Sequence, residues 1–101
     1  MRFMVRMWAI QPMPLKPSEL AKLAHRQLDY WERLEGTGKV IFTAPYVGRR
    51  ARIAIYDVDT MEELFDLINE DPLFPYLERE VVPLGTNEQI RTLYSRMLNQ
   101  D

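Results

Sequence analysis

The 101-residue chain contains no cysteine and a single histidine, His25. Without thiols it can form neither disulfides nor thiolate centres, and one imidazole is too few for a zinc site. A haem group would need an axial histidine, and His25 falls on the polar side of its predicted helix. The sequence also lacks a glycine loop of the kind that cradles phosphate. We therefore expect neither a metal nor another cofactor.

An excess of basic charge is absent as well, since 13 Lys and Arg face 15 Asp and Glu, giving a net charge of −2. General nucleic-acid or membrane-surface binders are basic overall, so we expect neither partner. No apolar run approaches the roughly 20 residues of a membrane span. The N-terminal MRFMVRMWAI is interrupted by Arg2 and Arg6 and does not resemble a secretory leader. We expect a cytoplasmic protein, which is compatible with the lack of cysteine.

The pattern of apolar residues predicts a single domain over residues 1–101. Period-two alternation and β-branched residues predict four strands, at 2–10, 39–46, 49–58 and 76–84. Helical spacing, with Thr60 and Thr86 as N-caps of the last two helices, predicts helices at 18–35, 60–71 and 87–99. The order β-α-β-β-α-β over residues 1–85, with an extra C-terminal helix, is that of an α+β ferredoxin-like sandwich.

The last two predicted helices each carry an apolar face. We expect the helix at 60–71 to bury a stripe formed by Met61, Leu64, Phe65 and Ile68. Leu73 and Phe74, bracketed by two prolines, are expected to seal the end of the core. The C-terminal helix is expected to pack by Ile90, Leu93, Tyr94 and Met97.

A ferredoxin-like sheet takes both helices on one face and leaves the other open. Alternation places Met4 and Trp8 beside Arg6 on one side of the first strand, and Tyr56 beside Arg52 on one side of the third. We expect Arg6, Arg50 and Arg52 to converge on the open face. A face that mixes arginines with aromatic residues needs a cover. The simplest cover is a second copy of the same sheet, which predicts a two-fold homodimer.

The segment YDVDTMEELFDLINEDPLFPYLEREVVPL, residues 56–84, begins at a strand end in Asp-Val and continues as a helix with a Leu-rich face. It then runs through Pro-Leu-Phe-Pro-Tyr to a strand ending in Pro-Leu. In this it resembles the muconolactone Δ-isomerase family, of the dimeric α+β barrel superfamily. The N-terminal MRFMVRM, the helix end RLEGTGK and the turn at Gly48 fit the same pattern. The resemblance covers residues 1–85 and is most specific in 56–84.

The resemblance implies ferredoxin-like dimers that assemble into larger rings. It also implies a proton shift within a small anionic lactone, without a cofactor, in aromatic compound catabolism. An acidic residue is implied near position 27, where this chain has Gln27. The resemblance further implies a chain that ends soon after the Pro-Leu strand, so the helix at 87–99 is an addition. It either closes the mouth of a pocket or extends the contact between subunits.

Cofactor-free lactone isomerisation needs one group that takes a proton beside a carbonyl and another that returns it to a different carbon. A carboxylate in a partly apolar pocket suits the first task, because burial raises its pKa. Glu80 is the candidate base, and Tyr56 is the candidate proton donor or positioning hydroxyl. Both residues also have ordinary structural explanations.

The candidate substrate-binding residues are Arg6, Trp8, Gln27 and Arg52. Arginine binds a carboxylate through two hydrogen bonds, which suits a small anionic substrate. The alternative for Arg6 is a cross-strand ion pair with Glu80 at a dimer interface. Gln27 falls within the apolar stripe of the first helix, where an unpaired amide costs about 1–3 kcal/mol. It therefore either forms a structural hydrogen bond or orients a ligand.

Two functions are compatible with these residues. The first is a cofactor-independent isomerase, or a related lyase or cyclase, acting on a small anionic lactone or enol. The second is a non-catalytic ligand-binding or structural oligomer of the same fold. Proton exchange at the α-carbon of a bound lactone separates them, because only a catalyst supports it.

Overall fold

Four antiparallel strands and three α-helices form the fold in a computed structural model that describes residues 1–100. The strands pair in the order β2-β3-β1-β4, with both long edges of β1 occupied. This confirms the predicted α+β class and the ferredoxin-like order with an added C-terminal helix. The elements are β1 (Arg2–Ala9), α1 (Pro17–Gly36), β2 (Val40–Pro45), β3 (Ala51–Asp57), α2 (Met61–Asn69), a 3-10 turn (Phe74–Tyr76), β4 (Leu77–Leu84) and α3 (Asn87–Met97).

Side-chain caps fix the starts of the last two helices. The Thr60 hydroxyl accepts a hydrogen bond from the backbone N–H of Glu63 at 3.1 Å. Thr86 accepts in the same way from Gln89, whose side chain accepts in return from the Thr86 N–H at 2.7 Å. That pair is the predicted capping box. At Thr60 the box is only half formed, because the Glu63 carboxylate accepts from the N–H of Asp59 instead.

The core lies between one face of the sheet and the two helices α1 and α2. Every second residue of β1 faces it, and Phe3, Val5 and Met7 are buried. They belong to one cluster with Trp31 of α1 and Leu64 of α2. The remaining buried members of this cluster are Tyr30, Val40, Ala54, Tyr56, Val58 and Ile68.

Replacing Leu64 by Ala is expected to lower the free energy of unfolding by about 2–5 kcal/mol, because it opens a cavity at a site that is 2% exposed. Urea unfolding followed by circular dichroism measures the loss. Leu28→Ala on α1 is the matched control, since Leu28 is 46% exposed and the change should stay within about 0.5 kcal/mol. Equal losses in both variants would mean that α2 does not seal the core at Leu64.

Two residues of α2 that were predicted to be buried are exposed. Met61 and Phe65 are 56% and 67% exposed, whereas Leu64 is buried as predicted. The helix packs on the sheet through a narrow stripe, and the other two side chains fall on its solvent side. Leu73 is buried and closes the core as expected, but Phe74 beside it is 37% exposed. The apolar pattern therefore overstated the width of the buried face.

The open face of the sheet is apolar at its centre. Met4 of β1 lies opposite Ile55 of β3 on one side and opposite Val82 of β4 on the other. These three side chains are partly exposed. The same face also carries Trp8, Phe42 and Ile53. A patch of this kind in the middle of a sheet is unusual for surface in contact with water.

The predicted convergence of Arg6 and Arg52 on the open face is wrong. Arg52 lies opposite Met7, and Met7 points into the core, so Arg52 projects toward the helices. Arg6 lies opposite Ile53 and points the other way. The side chains of the two arginines therefore lie on opposite faces of the sheet.

Helix α3 extends away from the rest of the fold. Every one of its residues is exposed, and the molecule measures 60 Å in its longest dimension against 29 and 22 Å in the others. The face that was predicted to pack, with Ile90, Leu93, Tyr94 and Met97, is 42–58% exposed. Within its own chain α3 therefore has no buried residue. Among the described residues, no helix has the length and apolarity needed to cross a membrane.

Candidate functional site

A cavity of about 290 Å³ opens between the first half of α1 and the ends of β1 and β3. Its size is near the lower end of the range for small-molecule sites. Its apolar wall is formed by Met7, Ala9, Leu20, Ala24, Leu73 and Leu77. The residues Leu20 and Ala24, one turn apart on α1, face the sheet across the opening. A mostly apolar wall with a few polar groups is typical of a ligand pocket.

Gln27 and Arg52 form the polar end of this cavity. The Arg52 Nη1 donates a hydrogen bond to Gln27 Oε1 at 3.0 Å. The guanidinium also lies 5.9 Å from the centre of the Trp31 ring, within the range of a cation–π contact. Gln27 is completely buried. Two of the predicted binding residues are thus brought together, although on the helix-covered face of the sheet.

Asp71 is the hydrogen-bond partner that the buried amide of Gln27 requires. The Gln27 Nε2 donates to both Asp71 oxygens, at 3.0 and 2.8 Å. The carboxylate also accepts from the backbone N–H of Leu73 at 2.8 Å and from Arg79 Nη2 at 3.3 Å. Asp71 is 3% exposed. Sequence reasoning missed this residue, and the signal for it was the unpaired amide predicted at position 27.

Arg6 and Glu80 form an ion pair on the open face. They lie directly opposite each other in β1 and β4, and Arg6 Nη1 lies 3.3 Å from Glu80 Oε2. The Arg6 Nε donates to the hydroxyl of Tyr46 at 2.9 Å. That hydrogen bond, followed by the charge of Glu80, raises the pKa of Arg6. The cross-strand pair expected as one alternative for Arg6 is present.

Trp8 and Tyr46 connect the open face to the cavity, because both line it. The Trp8 Nε1 donates to Glu78 Oε2 at 2.9 Å. The Tyr46 hydroxyl accepts from Arg6, so its own proton is free to be donated elsewhere. Sequence reasoning missed Tyr46. Only the position of Tyr46 at the end of a predicted strand, before the turn at Gly48, marked it as a residue at a sheet end.

Tyr56, the predicted proton donor, lies in the core and not among the residues that line the cavity. It is 1% exposed, and its hydroxyl accepts a hydrogen bond from Trp31 Nε1 at 3.3 Å. Burial raises the pKa of Tyr56 to about 12, although the hydrogen bond from Trp31 opposes this. A buried phenol of this kind supports packing, and the structure gives it no access to a ligand in the cavity.

The charged residues that line the cavity are all arginines: Arg49, Arg50 and Arg52. Among the described residues, no aspartate or glutamate lines it. On the open face, the Glu78 and Glu80 carboxylates are hydrogen-bonded to Trp8 and Arg6, respectively. In residues 1–100, no three His, Cys, Asp or Glu side chains are grouped as metal ligands. The cavity is therefore suited to an organic anion.

Comparison with known proteins finds similarity to one protein family over most of the chain. A family model described as "Muconolactone delta-isomerase" matches residues 1–89. The muconolactone Delta-isomerase of Rhodococcus opacus is 33% identical over 82 residues, which cover 81% of this chain and 88% of the relative. That of Cupriavidus pinatubonensis is 32% identical over 85 residues, which cover 84% and 92%.

Two solved structures have the same fold. A crystal structure of muconolactone isomerase superposes with a TM-score of 0.77 at 29% identity, and the match covers 86% of this chain and 91% of the other. The 5-chloro-2-hydroxyhydroquinone dehydrochlorinase of Burkholderia phenoliruptrix, in complex with 2,5-dihydroxybenzoquinone, has a TM-score of 0.70. Its identity is 14%, with 88% and 98% covered, so it supports the fold alone.

Proposed function

The chain belongs to the muconolactone Δ-isomerase family, and on that premise we propose that it moves a proton within a small unsaturated lactone or enol that carries a carboxylate. A related lyase or cyclase reaction on the same class of substrate falls within this proposal. The reaction requires no cofactor. The observation that carries the proposal is an apolar cavity whose charged lining residues are three arginines.

Arg52 is proposed to bind the substrate carboxylate. One of its nitrogens is held by Gln27 at 3.0 Å, which leaves other N–H groups of the guanidinium for a ligand. Its guanidinium also lies within the range of a cation–π contact with the Trp31 ring, at 5.9 Å from the ring centre. An arginine fixed in this way loses little rotamer freedom when it forms a bidentate pair with a carboxylate. The apolar wall would then face the lactone ring.

Glu80 is proposed to remove the proton, and Tyr46 replaces Tyr56 as the proposed donor. Glu80 is paired with Arg6, which also holds the Tyr46 hydroxyl, so the two candidate groups are linked through one guanidinium. Tyr46 lines the cavity, and Glu80 lies opposite Arg6 on the open face of the sheet. The catalytic hydrogen bonds would tighten only when a substrate bridges these groups.

A second candidate function is binding of an anionic ligand without catalysis. The observation in its favour is that no carboxylate lines the cavity within residues 1–100. A protein of this kind would bind muconolactone through Arg52 but would not exchange its protons with water.

We further propose that a second copy of the chain covers the open face, giving a homodimer or a ring of dimers. The apolar centre of that face supports this, because self-complementary apolar surfaces are the usual basis of two-fold dimers. Its central residues are Met4, Trp8, Phe42, Ile53, Ile55 and Val82.

Helix α3 is proposed to dock on α2 of a second copy. At about 100° per residue, Arg91 and Arg96 border the two edges of its apolar stripe. On α2, the exposed Phe65 lies beside the acidic residues Glu62 and Asp66. The two surfaces are therefore complementary in both charge and apolarity.

Proton exchange tests the catalytic proposal. Muconolactone is incubated with the protein in D₂O, and deuterium at the carbon next to the carbonyl is followed by NMR. We expect exchange that slows by about 10²–10⁴-fold in Glu80→Gln, the usual effect of removing a general base. Glu32→Gln, an exposed change on α1, is the control. A rate that depends on Glu78 and not on Glu80 would assign the role of base to Glu78, the open-face carboxylate that is bonded to Trp8. Binding without exchange in the native protein would favour the non-catalytic function.

A further inference from the structure

We infer that Asp71 is a positioning residue that determines the charge specificity of the cavity. It does so by fixing the amide of Gln27 so that Arg52 faces the cavity as a cation without a carboxylate partner. The inference rests on the proposed function, since it concerns the anionic group of the substrate. It adds a residue and a role that the catalytic proposal does not require.

The orientation of the Gln27 amide follows from its two partners. Asp71 is a carboxylate that only accepts hydrogen bonds, so it binds the Gln27 NH₂ at 2.8 and 3.0 Å. Arg52 only donates, so it binds the Gln27 oxygen at 3.0 Å. Reversing the amide would place the NH₂ group against a guanidinium and the oxygen against a carboxylate. Both ends therefore enforce the same orientation.

Asp71 is held firmly enough to act as an anchor. Its two oxygens accept from Gln27, from the Leu73 N–H and from Arg79. Its side chain is 1% exposed and that of Arg79 is 10% exposed. Asp71 does not line the cavity. It is therefore placed to act through Gln27 and not on the substrate directly.

Gln27 also lies between the carboxylate of Asp71 and the guanidinium of Arg52, whose opposite charges would otherwise neutralise each other. Arg52 and Arg79 lie on the two sides of Met7, in the strands β3 and β4 that flank β1, and all three side chains share one face of the sheet. Asp71 pairs with Arg79, while Arg52 receives only the neutral oxygen of Gln27. A glutamate at position 27 would neutralise Arg52 and would face the carboxylate of Asp71. The neutral amide preserves the positive charge of Arg52 for a ligand.

Calorimetric titration with a matched pair of ligands tests this role. The probes are a saturated γ-lactone with an acetate side chain, which has no double bond to shift, and its uncharged methyl ester. The native protein is expected to prefer the carboxylate. In Asp71→Asn this preference should fall by about 10-fold or more, the value of one hydrogen bond to a charged group. The introduced asparagine side chain can donate as well as accept, so the Gln27 amide is no longer held. Affinity for the ester should not change.

Two further variants keep the test decisive. Gln27→Glu should abolish the preference for the carboxylate because it neutralises Arg52. Its binding of the two probes can be measured even if Asp71→Asn fails to fold. Asp29→Asn, the same substitution at an exposed position of α1, is the control. In the isomerase assay, Asp71→Asn should raise KM and leave kcat unchanged, because it weakens ground-state and transition-state binding alike.

The outcomes separate this inference from the proposed function. If the native protein prefers the carboxylate and folded Asp71→Asn and Gln27→Glu keep that preference, the positioning role is overturned and the anion site stands. If Asp71→Asn does not fold, an unchanged preference in Gln27→Glu overturns the role by itself. If the native protein binds both probes equally or not at all, the anion site is overturned, and the inference with it.

Discussion

Arg52→Met is expected to weaken carboxylate binding by about 2–5 kcal/mol, the usual loss when one partner of a buried, hydrogen-bonded charge pair is removed. The physical reason is that Arg52 is the cavity arginine whose fork is held in place, by Gln27 at 3.0 Å and by the Trp31 ring. Methionine keeps much of the apolar stem and removes the charge. The expected result is a large loss of affinity for the saturated lactone carboxylate, measured by calorimetry, with little change for its methyl ester.

Arg26→Met is the matched control, because Arg26 is exposed on α1 and its replacement changes the net charge by the same amount. A thermal melt of each variant checks that the buried oxygen of Gln27, which loses its donor, has not unfolded the site. Normal carboxylate binding in Arg52→Met together with its loss in Arg6→Met would place the anion site on the open face and contradict the proposal.

Deletion of residues 87–101 is expected to reduce the size of the assembly. Because every residue of α3 is exposed, its removal should cost the isolated subunit little stability. Its exposed apolar side chains nevertheless need a partner. We expect the full chain, 12.0 kDa per subunit, to sediment at micromolar concentration as a multiple of that mass, and the truncated chain as a smaller species.

Charge reversal identifies the surface on which α3 docks. Arg91→Glu with Arg96→Glu should reproduce the smaller species, and adding Glu62→Arg with Asp66→Arg should restore the full assembly. Glu32→Lys, at an exposed position of α1, is the control. A full chain that sediments only as a 12.0 kDa monomer would contradict both the dimer and the docking of α3.

The order of elements could be predicted from the sequence because it depends on local signals. Each of these signals depends on residues only a few positions apart: alternation in the strands, helical spacing, and the caps at Thr60 and Thr86. These signals placed the strands and helices to within a few residues. They do not state which side of β3 meets the helices, since Ile53 and Ile55 on one side are as apolar as Ala54 and Tyr56 on the other. That ambiguity placed Arg52 on the wrong face.

The candidate site was harder to predict because its contacts are distant in sequence. Gln27 and Asp71 are 44 positions apart, and Arg52 comes from a third element. The amide of Gln27 signalled that some polar partner must exist, but only the packing of α1 against the turn after α2 identifies it as Asp71. Tyr46 likewise reaches the cavity through the curvature of the sheet end, which no local pattern encodes.

The buried group around Gln27 has a consequence for the stability of the protein. Two guanidinium groups and one carboxylate are connected through a single neutral amide, so one positive charge has no counterpart. A carboxylate ligand would complete the balance. Any such ligand that binds only the folded chain raises its stability by RT ln(1 + [L]/Kd), which is about 2.7 kcal/mol at a hundredfold excess over Kd. The ligand-free protein is then the least stable state, and its Tm is expected to rise with the concentration of any organic acid that the cavity binds.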